Sequence, residues 1–214
     1  MIYNLPILSE EFVNNVLQVY NENNFVDGKI SNDSNIKNNL MLPNGYDKSY
    51  ASRILISGLH QSKFQGNFLV KKVSEPQFLW YKTGMYYGYH IDEWPITGVN
   101  SHYSMTISLS DPDEYEGGEL VLKIGNVETE HKIKKGEGVL YSTGLWHKVN
   151  PVTSGERKVA TVWIESFVNN SAMRENLTQL TMILKDNQDN IDYEIFEKLE
   201  QVRVNMMREH ADNI

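Results

Sequence analysis

Short β-rich segments follow one another from residue 75 to residue 168, and this succession limits the fold more than any other feature of the chain. The segments are "PQFLWYKTGMYYGYHID", "HYSMTISLS", "GGELVLKIG", "ETEHKIKKG", "GVLYST", "HKVNPV" and "RKVATVWIESF". Asp, Gly and Pro separate them at roughly the 8–12-residue spacing that is typical of an antiparallel sandwich or barrel. The pattern therefore predicts a β core built from several short strands.

Helical patterns flank this core on both sides. Ser9 is a suitable N-cap for a helix in "SEEFVNNVLQVY", and "SYASRILISGLHQS" has its apolar residues on one helical face. After residue 170 the pattern is helical to the end of the chain. We therefore predict an α+β fold with three regions: an N-terminal helical and loop region (1–74), a β core (75–168) and a C-terminal helical extension (169–214).

Composition excludes several classes of protein. The 214 residues suffice for one buried core, and the absence of cysteine excludes disulfides, zinc–thiolate sites and iron–sulfur clusters. The net charge of −8 disfavours a nucleic-acid binder. We find no apolar run long enough to span a membrane and no signal-peptide pattern at the start, so we expect a cytoplasmic protein without a membrane partner.

The segment "YYGYHIDEW" contains a histidine and a carboxylate two residues apart, His90 and Asp92. Alternate residues of a strand point to the same side, so the two side chains should lie on one face of the strand and could bind the same metal ion. His147, which follows the strand-like segment "GVLYST" and a Gly turn, has the best context for a third ligand. Two imidazoles and one carboxylate form the facial triad of non-haem iron(II) oxygenases, which leaves three coordination positions open.

Arg157 lies ten residues after His147, where a cationic anchor would be needed if a co-substrate is a dicarboxylate. A guanidinium offers two parallel N–H donors to a carboxylate. Its neighbour Lys158 should face the opposite side of the same strand. His60, His131 and His210 are expected to be structural or solvated, and His102 is only a weak candidate for the site. Gly117 and Gly118 should form a tight turn without a chemical role.

The segments that carry these residues resemble a known family. "YKTGMYYGYHID" is similar to the Tyr-x-x-Gly-x-x-Tyr-x-x-His-x-Asp motif of prolyl 4-hydroxylases, and "HKVNPVTSGERKVATVW" is similar to their His–Arg–Trp ending. The match is closer to the bacterial PKHD-type hydroxylases, in the order "FVDGKI…IKNN", "LSDPDEYEGGELVL", "GVLYSTGLWHKVNPVTSGER" and "WIES". The resemblance covers nearly the whole chain and implies a double-stranded β-helix, or jelly roll, with flanking N- and C-terminal helices.

The resemblance also implies roles for individual residues. His90, Asp92 and His147 would bind Fe(II), and Arg157 would bind the distal carboxylate of 2-oxoglutarate. Tyr81 would place a hydroxyl near this co-substrate. Ser108 stands where some relatives have a larger side chain, and its hydroxyl could bond the same carboxylate.

Residues of the predicted loop and last strand complete the expected site. Trp94 and Tyr103, in "EWPITGVNSHYS", and Trp163 are candidate substrate contacts. Loops at the mouth of a rigid scaffold usually carry specificity. For Trp163, packing inside the barrel is the alternative.

The implied activity is that of a 2-oxoglutarate-dependent dioxygenase of the prolyl 4-hydroxylase type. Its cofactors would be Fe(II), 2-oxoglutarate and O2, with ascorbate as an optional addition, and its partner would be a proline-containing protein or peptide. We expect a monomer or a homodimer. The alternatives are a 2-oxoglutarate oxygenase with a non-prolyl substrate, a zinc hydrolase and a non-catalytic jelly-roll binding module.

Overall fold

The computed structural model describes residues 1–31 and 35–211. Within these residues it has five α-helices: α1 (Glu10–Leu17), α2 (Tyr46–Gln61), α3 (Phe64–Asn67), α4 (Ser171–Asn187) and α5 (Tyr193–His210). The strands are β1 (Ile2–Pro6), β2 (Val26–Asp27), β3 (Lys37–Asn38), β4 (Leu40–Met41), β5 (Val70–Val73), β6 (Gln77–Lys82), β7 (Tyr86–His90), β8 (Tyr103–Ser108), β9 (Tyr115–Gly117), β10 (Leu120–Ile124), β11 (Val127–His131), β12 (Glu137–Ser142), β13 (Trp146–Val149) and β14 (Val152–Ser166).

The strands form two antiparallel sheets. The larger sheet has the order β1-β12-β8-β14-β6-β4-β2, and β5 and β9 also pair with β14. The smaller sheet has the order β11-β10-β13-β7-β3. Because β14 has 15 residues and pairs with four other strands, it is the central element of the larger sheet.

The two faces of β14 have different environments. Arg157, Val159, Thr161 and Trp163 point into a cavity that is also lined by residues of the smaller sheet. The alternate residues Ala160, Val162 and Ile164 are buried in the main hydrophobic cluster. This alternation is the period of two expected of a strand, and it means that the larger sheet is covered on both faces.

Helices α1 and α2 cover the outer face of the larger sheet. Val13 and Val16 of α1 and Leu55 and Leu59 of α2 are completely buried in the cluster that contains the outer residues of β14. The predicted N-cap is present, because the Ser9 side chain accepts a hydrogen bond from the backbone N–H of Phe12. The flanking helices thus make the larger sheet a rigid wall for the cavity on its other side.

The C-terminal helices pack at one end of the barrel. Leu177 of α4 is buried against Leu69 and Val168, and α5 packs mainly on α4. No helix of the described chain combines the length and the apolar character needed to cross a membrane.

Several strands were not expected from the sequence. Strand β1 pairs with β12 from Ile2↔Tyr141 to Pro6↔Glu137, and β5 pairs with the end of β14. Strand β14 begins at Val152, so Arg157 lies well inside it. The N-terminal segment therefore contributes strands to both sheets in addition to its helices.

Candidate metal and co-substrate site

Three side chains converge at one end of the cavity. His90 is the last residue of β7, and it is the direct cross-strand partner of His147 on β13. Asp92 follows two residues after His90, beyond the end of the strand. The potential ligand atoms of His90, Asp92 and His147 all lie within 4.8 Å of one another. The predicted trio is therefore brought together, although coil geometry rather than strand alternation orients Asp92.

Backbone contacts fix the orientation of both imidazoles. The Nδ1 atom of His90 lies 2.9 Å from the carbonyl oxygen of Gly88, and Nδ1 of His147 lies 2.9 Å from that of Leu145. A carbonyl oxygen only accepts, so both Nδ1 atoms carry the proton and both Nε2 atoms are free to bind a metal. The Nε2 atoms lie 3.8 Å (His90) and 3.7 Å (His147) from Oδ1 of Asp92.

The other carboxylate oxygen of Asp92 is already occupied. Oδ2 accepts hydrogen bonds from the Ser104 hydroxyl at 2.7 Å and from the Trp163 indole N–H at 2.9 Å. These two donors hold the carboxylate so that Oδ1 faces the imidazoles. Trp163 therefore supports a ligand, a role that the sequence did not suggest, and Ser104 was missed entirely. These donors belong to residues that are direct cross-strand partners, Trp163↔Ser104.

The electrostatic environment keeps His90 neutral. Burial and, to a smaller extent, the proximity of His147 together lower the pKa of His90 to about 4. The Tyr87 ring stacks on the His90 ring with a centroid separation of 3.7 Å and an interplanar angle of 16°. Metal binding requires the neutral imidazole, so the site is prepared for a cation at neutral pH.

The cavity has a volume of about 690 Å³ and continues from the three ligands to Arg157. Arg157 is only 4% exposed, and its buried Nη1 atom has no hydrogen-bond partner in the described part of the chain. Its guanidinium lies 5.1 Å from the ring centroid of Tyr81, its cross-strand partner. A buried guanidinium nitrogen without a partner is costly, and a carboxylate ligand would satisfy it.

Two tyrosines surround this guanidinium. Burial raises the pKa of Tyr81 and that of Tyr115, and the positive charge of Arg157 opposes both shifts. Their hydroxyls therefore stay protonated and can serve as neutral donors. Lys158 points to the other side of the strand as predicted, with its ammonium 5.1 Å from the Trp80 ring and 3.5 Å from the Glu156 carboxylate.

The turn at Gly117 and Gly118 makes room for Arg157. Both residues have positive φ angles, +69° and +66°. A Cβ on Gly118 would lie 3.1 Å from Cδ of Arg157, and a Cβ on Gly117 would lie 2.2 Å from the carbonyl oxygen of Pro151. The Gly-Gly pair is thus needed both for the backbone conformation and for the placement of the guanidinium.

Of three further predicted residues, two lie away from the cavity and one lies beside its mouth. Tyr103 is buried on the outer face of the larger sheet, against Phe68 and beneath the Arg174 guanidinium, because its neighbour Ser104 faces the cavity. Ser108 does not line the cavity, and its hydroxyl donates to the carbonyl of Ser110 at 2.7 Å. Trp94 is 70% exposed beside the cavity mouth, which Glu93 and Ile96 line.

Sequence reasoning also missed Lys37. This lysine is only 3% exposed, lines the cavity and pairs in register with Tyr87 on β7. Its ammonium donates to the Ser31 hydroxyl and lies 5.2 Å from the Tyr87 ring centroid. Burial lowers the pKa of Lys37 from 10.5 to about 8, while Asp92 and Asp27 act in the opposite direction. Its only sequence signal was the "IKNN" segment.

A jelly-roll cavity with two imidazoles and one carboxylate at one end, and a buried arginine farther in, is the arrangement of a non-haem iron oxygenase. Comparison with known proteins agrees. Residues 76–165 match the family model of the 2OG-Fe(II) oxygenase superfamily. The chain belongs to this superfamily and, within it, to the PKHD-type hydroxylases.

Two relatives show the extent of the similarity. A PKHD-type hydroxylase of Sphingopyxis alaskensis is 31% identical over 210 residues, which cover 95% of this chain and 96% of that one. A PKHD-type hydroxylase of Colwellia psychrerythraea is 31% identical over 221 residues, with 99% of each chain covered. The protein is therefore a 2-oxoglutarate-dependent dioxygenase that uses Fe(II), 2-oxoglutarate and O2, and the zinc-hydrolase and binding-module alternatives are not supported.

Solved structures confirm the predicted fold. A prolyl-4-hydroxylase of Pseudomonas putida aligns with a TM-score of 0.54 at 18% identity, covering 77% of this chain and 92% of that one. A prolyl hydroxylase of Trichoplax adhaerens aligns with a TM-score of 0.55 at 18% identity, covering 77% of this chain and 83% of that one. That structure is a complex with a peptide fragment of the hypoxia inducible factor oxygen degradation domain. The α+β double-stranded β-helix with flanking helices is thus the fold of this chain.

Proposed function

We propose that the protein hydroxylates a prolyl residue of a protein or peptide, with Fe(II) bound by His90, Asp92 and His147 and with 2-oxoglutarate bound by Arg157. The observation that carries this proposal is the presence, in one cavity, of three preoriented ligand atoms and of a buried guanidinium nitrogen that has no hydrogen-bond partner among the described residues. A hydrolase would have no use for such a guanidinium.

The chain's own residues would act mainly by positioning. The backbone carbonyls of Gly88 and Leu145 fix the imidazole tautomers, and Ser104 and Trp163 fix the carboxylate. When bound, Fe(II) with 2-oxoglutarate and O2 supplies the oxidation that turns a C–H bond into C–OH while 2-oxoglutarate becomes succinate and CO2. The buried walls, including Tyr141 and Val149, exclude water from the reacting groups.

The location of Arg157 sets the orientation of the co-substrate. A guanidinium that holds the distal carboxylate directs the other end of 2-oxoglutarate along the cavity towards His90 and His147. Tyr81, the cross-strand partner of Arg157, lines the same part of the cavity and can contribute a hydroxyl. Positioning of this kind accounts for a large part of what a protein contributes to a cofactor reaction.

The prolyl assignment is supported by family resemblance and by the cavity mouth. The Trichoplax adhaerens structure shows a prolyl hydroxylase of similar fold with a bound peptide. In this chain Trp94, with its side chain 70% exposed beside the mouth, offers an aromatic face on which a proline ring could stack.

The test is succinate release from labelled 2-oxoglutarate, with and without a panel of proline-containing peptides. We expect peptide-stimulated release together with a mass increase of one oxygen atom on a prolyl residue. Turnover of a small molecule or of a non-prolyl peptide, with no proline peptide accepted, would remove the prolyl assignment and leave the oxygenase activity in place.

A further inference from the structure

The cavity contains a cation that the proposed co-substrate does not use. Lys37 and Arg157 are both almost fully buried in its wall, and Lys29 lies at its exposed mouth. Among the described residues that line the cavity, the carboxylates are only Asp92, which faces the imidazoles, and Glu93. The cavity is therefore cationic although the whole chain has a net charge of −8.

Among the described residues, Lys37 forms no ion pair, although the charges of Asp92 and Asp27 act on it from a greater distance. In the described part of the chain, no carboxylate lies within ion-pair distance of its ammonium, and its hydrogen bond goes to the neutral hydroxyl of Ser31. That hydroxyl in turn donates to the carbonyl of Gly28 at 3.1 Å. An ammonium has three N–H donors, so donors remain for a ligand. Buried charges in proteins are normally paired, which makes an unpaired one in a cavity wall a candidate ligand contact.

The position of Lys37 differs from that of Arg157. Lys37 lies on the smaller sheet and pairs with Tyr87, whereas Arg157 lies on the larger sheet and pairs with Tyr81. The Lys37 ammonium is 5.2 Å from the Tyr87 ring centroid, and that centroid is 3.7 Å from the His90 ring centroid. The ammonium is therefore within about 9 Å of the His90 imidazole, a distance that two or three consecutive residues can span.

We propose that Lys37 is a specificity-determining residue that binds a carboxylate of the substrate, so that the enzyme prefers substrates with an anionic group close to the carbon that is hydroxylated. The inference rests on the proposed oxygenase site. The carboxylate can come from an acidic side chain next to the reacting residue in a peptide, or from the free α-carboxylate of a terminal or single amino acid. Both present the same chemistry to the ammonium.

The experiment measures binding with matched acid and amide probes. The protein is loaded with zinc and 2-oxoglutarate, which prevents turnover, and each Kd is obtained by calorimetry. The terminal-carboxylate pairs are N-acetyl-L-proline against its amide and N-acetyl-L-alanine against its amide. The side-chain pair is acetyl-Pro-Asp-amide against acetyl-Pro-Asn-amide. The variants are Lys37→Met, Lys37→Arg and, as a control at an exposed lysine away from the cavity, Lys134→Met.

We expect the wild-type protein to bind the acid of at least one pair about ten- to hundredfold more tightly than its amide, as for a hydrogen bond between charged groups. Lys37→Met should abolish this ratio and leave the amide affinity and the 2-oxoglutarate affinity unchanged. Lys37→Arg should keep part of the ratio, and Lys134→Met should keep all of it. The pair that shows the preference identifies the source of the carboxylate.

Three results would overturn the proposal. The first is no acid preference in any wild-type pair, a result that does not depend on whether a variant folds. The second is an equal loss of acid and amide binding in Lys37→Met, which is what a purely structural lysine would give. The third is a loss of 2-oxoglutarate affinity in Lys37→Met with the probe ratio intact.

The outcome also separates this inference from the prolyl assignment. An acid preference in the alanyl pair, without turnover of any proline peptide, would support carboxylate recognition and contradict the prolyl substrate. Turnover of proline peptides without any acid preference would support the prolyl substrate and contradict carboxylate recognition by Lys37.

Discussion

Replacement of Arg157 by alanine should weaken 2-oxoglutarate binding far more than metal binding. Arg157 is 4% exposed, and one buried nitrogen of its guanidinium has no hydrogen-bond partner in the part of the chain that the structure describes, so its pair with a carboxylate would form in a largely dry site. Hydrogen bonds between charged groups contribute about 1.5–3 kcal/mol each, and desolvation of the carboxylate offsets part of two such bonds. A net loss of about 2–4 kcal/mol corresponds to roughly 30- to 1000-fold in Kd.

The assay is titration of 2-oxoglutarate into the Fe(II)-loaded protein without oxygen, together with a separate titration of the metal. Lys158→Ala is the matched control, because Lys158 is the next residue on the same strand and faces Trp80 and Glu156 on the opposite side. Arg157→Lys should recover only part of the affinity, since an ammonium lacks the planar fork of the guanidinium.

The result that refutes this reasoning is specific. If Lys158→Ala lost 2-oxoglutarate affinity and Arg157→Ala did not, the assigned inward face of β14 would be incorrect. If Arg157→Ala lowered the affinities for metal and 2-oxoglutarate equally, Arg157 would act on the architecture of the site and not on the co-substrate.

Three further predictions concern single side chains, and the first two include a matched control variant. Trp163→Phe removes the indole donor to Asp92 and should weaken Fe(II) binding about ten- to hundredfold. Trp80→Phe, the control, removes the indole donor to Glu156 on the outer face and should leave Fe(II) binding unchanged. Equal Fe(II) affinities of the two variants would refute the role of Trp163 in orienting Asp92. Trp94→Ala should raise KM for a proline peptide without changing substrate-free 2-oxoglutarate turnover. The control is Trp146→Ala, because Trp146 is also exposed. Unaltered peptide kinetics in Trp94→Ala would show that the loop containing Trp94 does not contact the substrate. Lys37→Met should stabilise the metal-free protein at pH 7 by about 3 kcal/mol, because a lysine pKa lowered from 10.5 to about 8 means that the folded state disfavours the charged form. This penalty is complete below pH 8 and disappears as the pH rises to 10.5, so urea unfolding should show a gain that shrinks over that window, and a pH-independent gain would contradict the cause.

The functional residues that could be predicted from the sequence are those fixed by local spacing. Arg157 and Lys158 are adjacent on one strand, so the side to which each points follows from strand alternation once one of them is placed. The side of Lys158 was predicted in this way. His90 and Asp92 were found from their two-residue spacing, although Asp92 lies beyond the end of β7 and is oriented by the coil that follows it. The helices α1, α2, α4 and α5 were likewise predictable, because each has apolar residues at helical spacing and α1 has a clear N-cap.

The remaining features depend on pairing between distant segments. Tyr103 and Ser104 are adjacent, and only the register of β8 with β14 determines which of them faces the cavity. The hydrogen bonds from Ser104 and Trp163 to Asp92 join residues that are not neighbours in the chain, so no local sequence pattern predicts them. Lys37 lies on a two-residue strand whose place beside β7 has no periodic signal. For this reason sequence reasoning found the proposed metal ligands but not the residues that orient them.

The most direct test of the central claim is a visible absorption measurement on the anaerobic protein. With Fe(II) and 2-oxoglutarate added, the wild-type protein should show the weak charge-transfer band of a keto acid chelated to Fe(II). The band should be absent in Asp92→Ala, and zinc should compete for the site and inhibit turnover. The absence of the band in the wild-type protein, together with activity that survives iron chelation and rises with zinc, would contradict the assignment of the site.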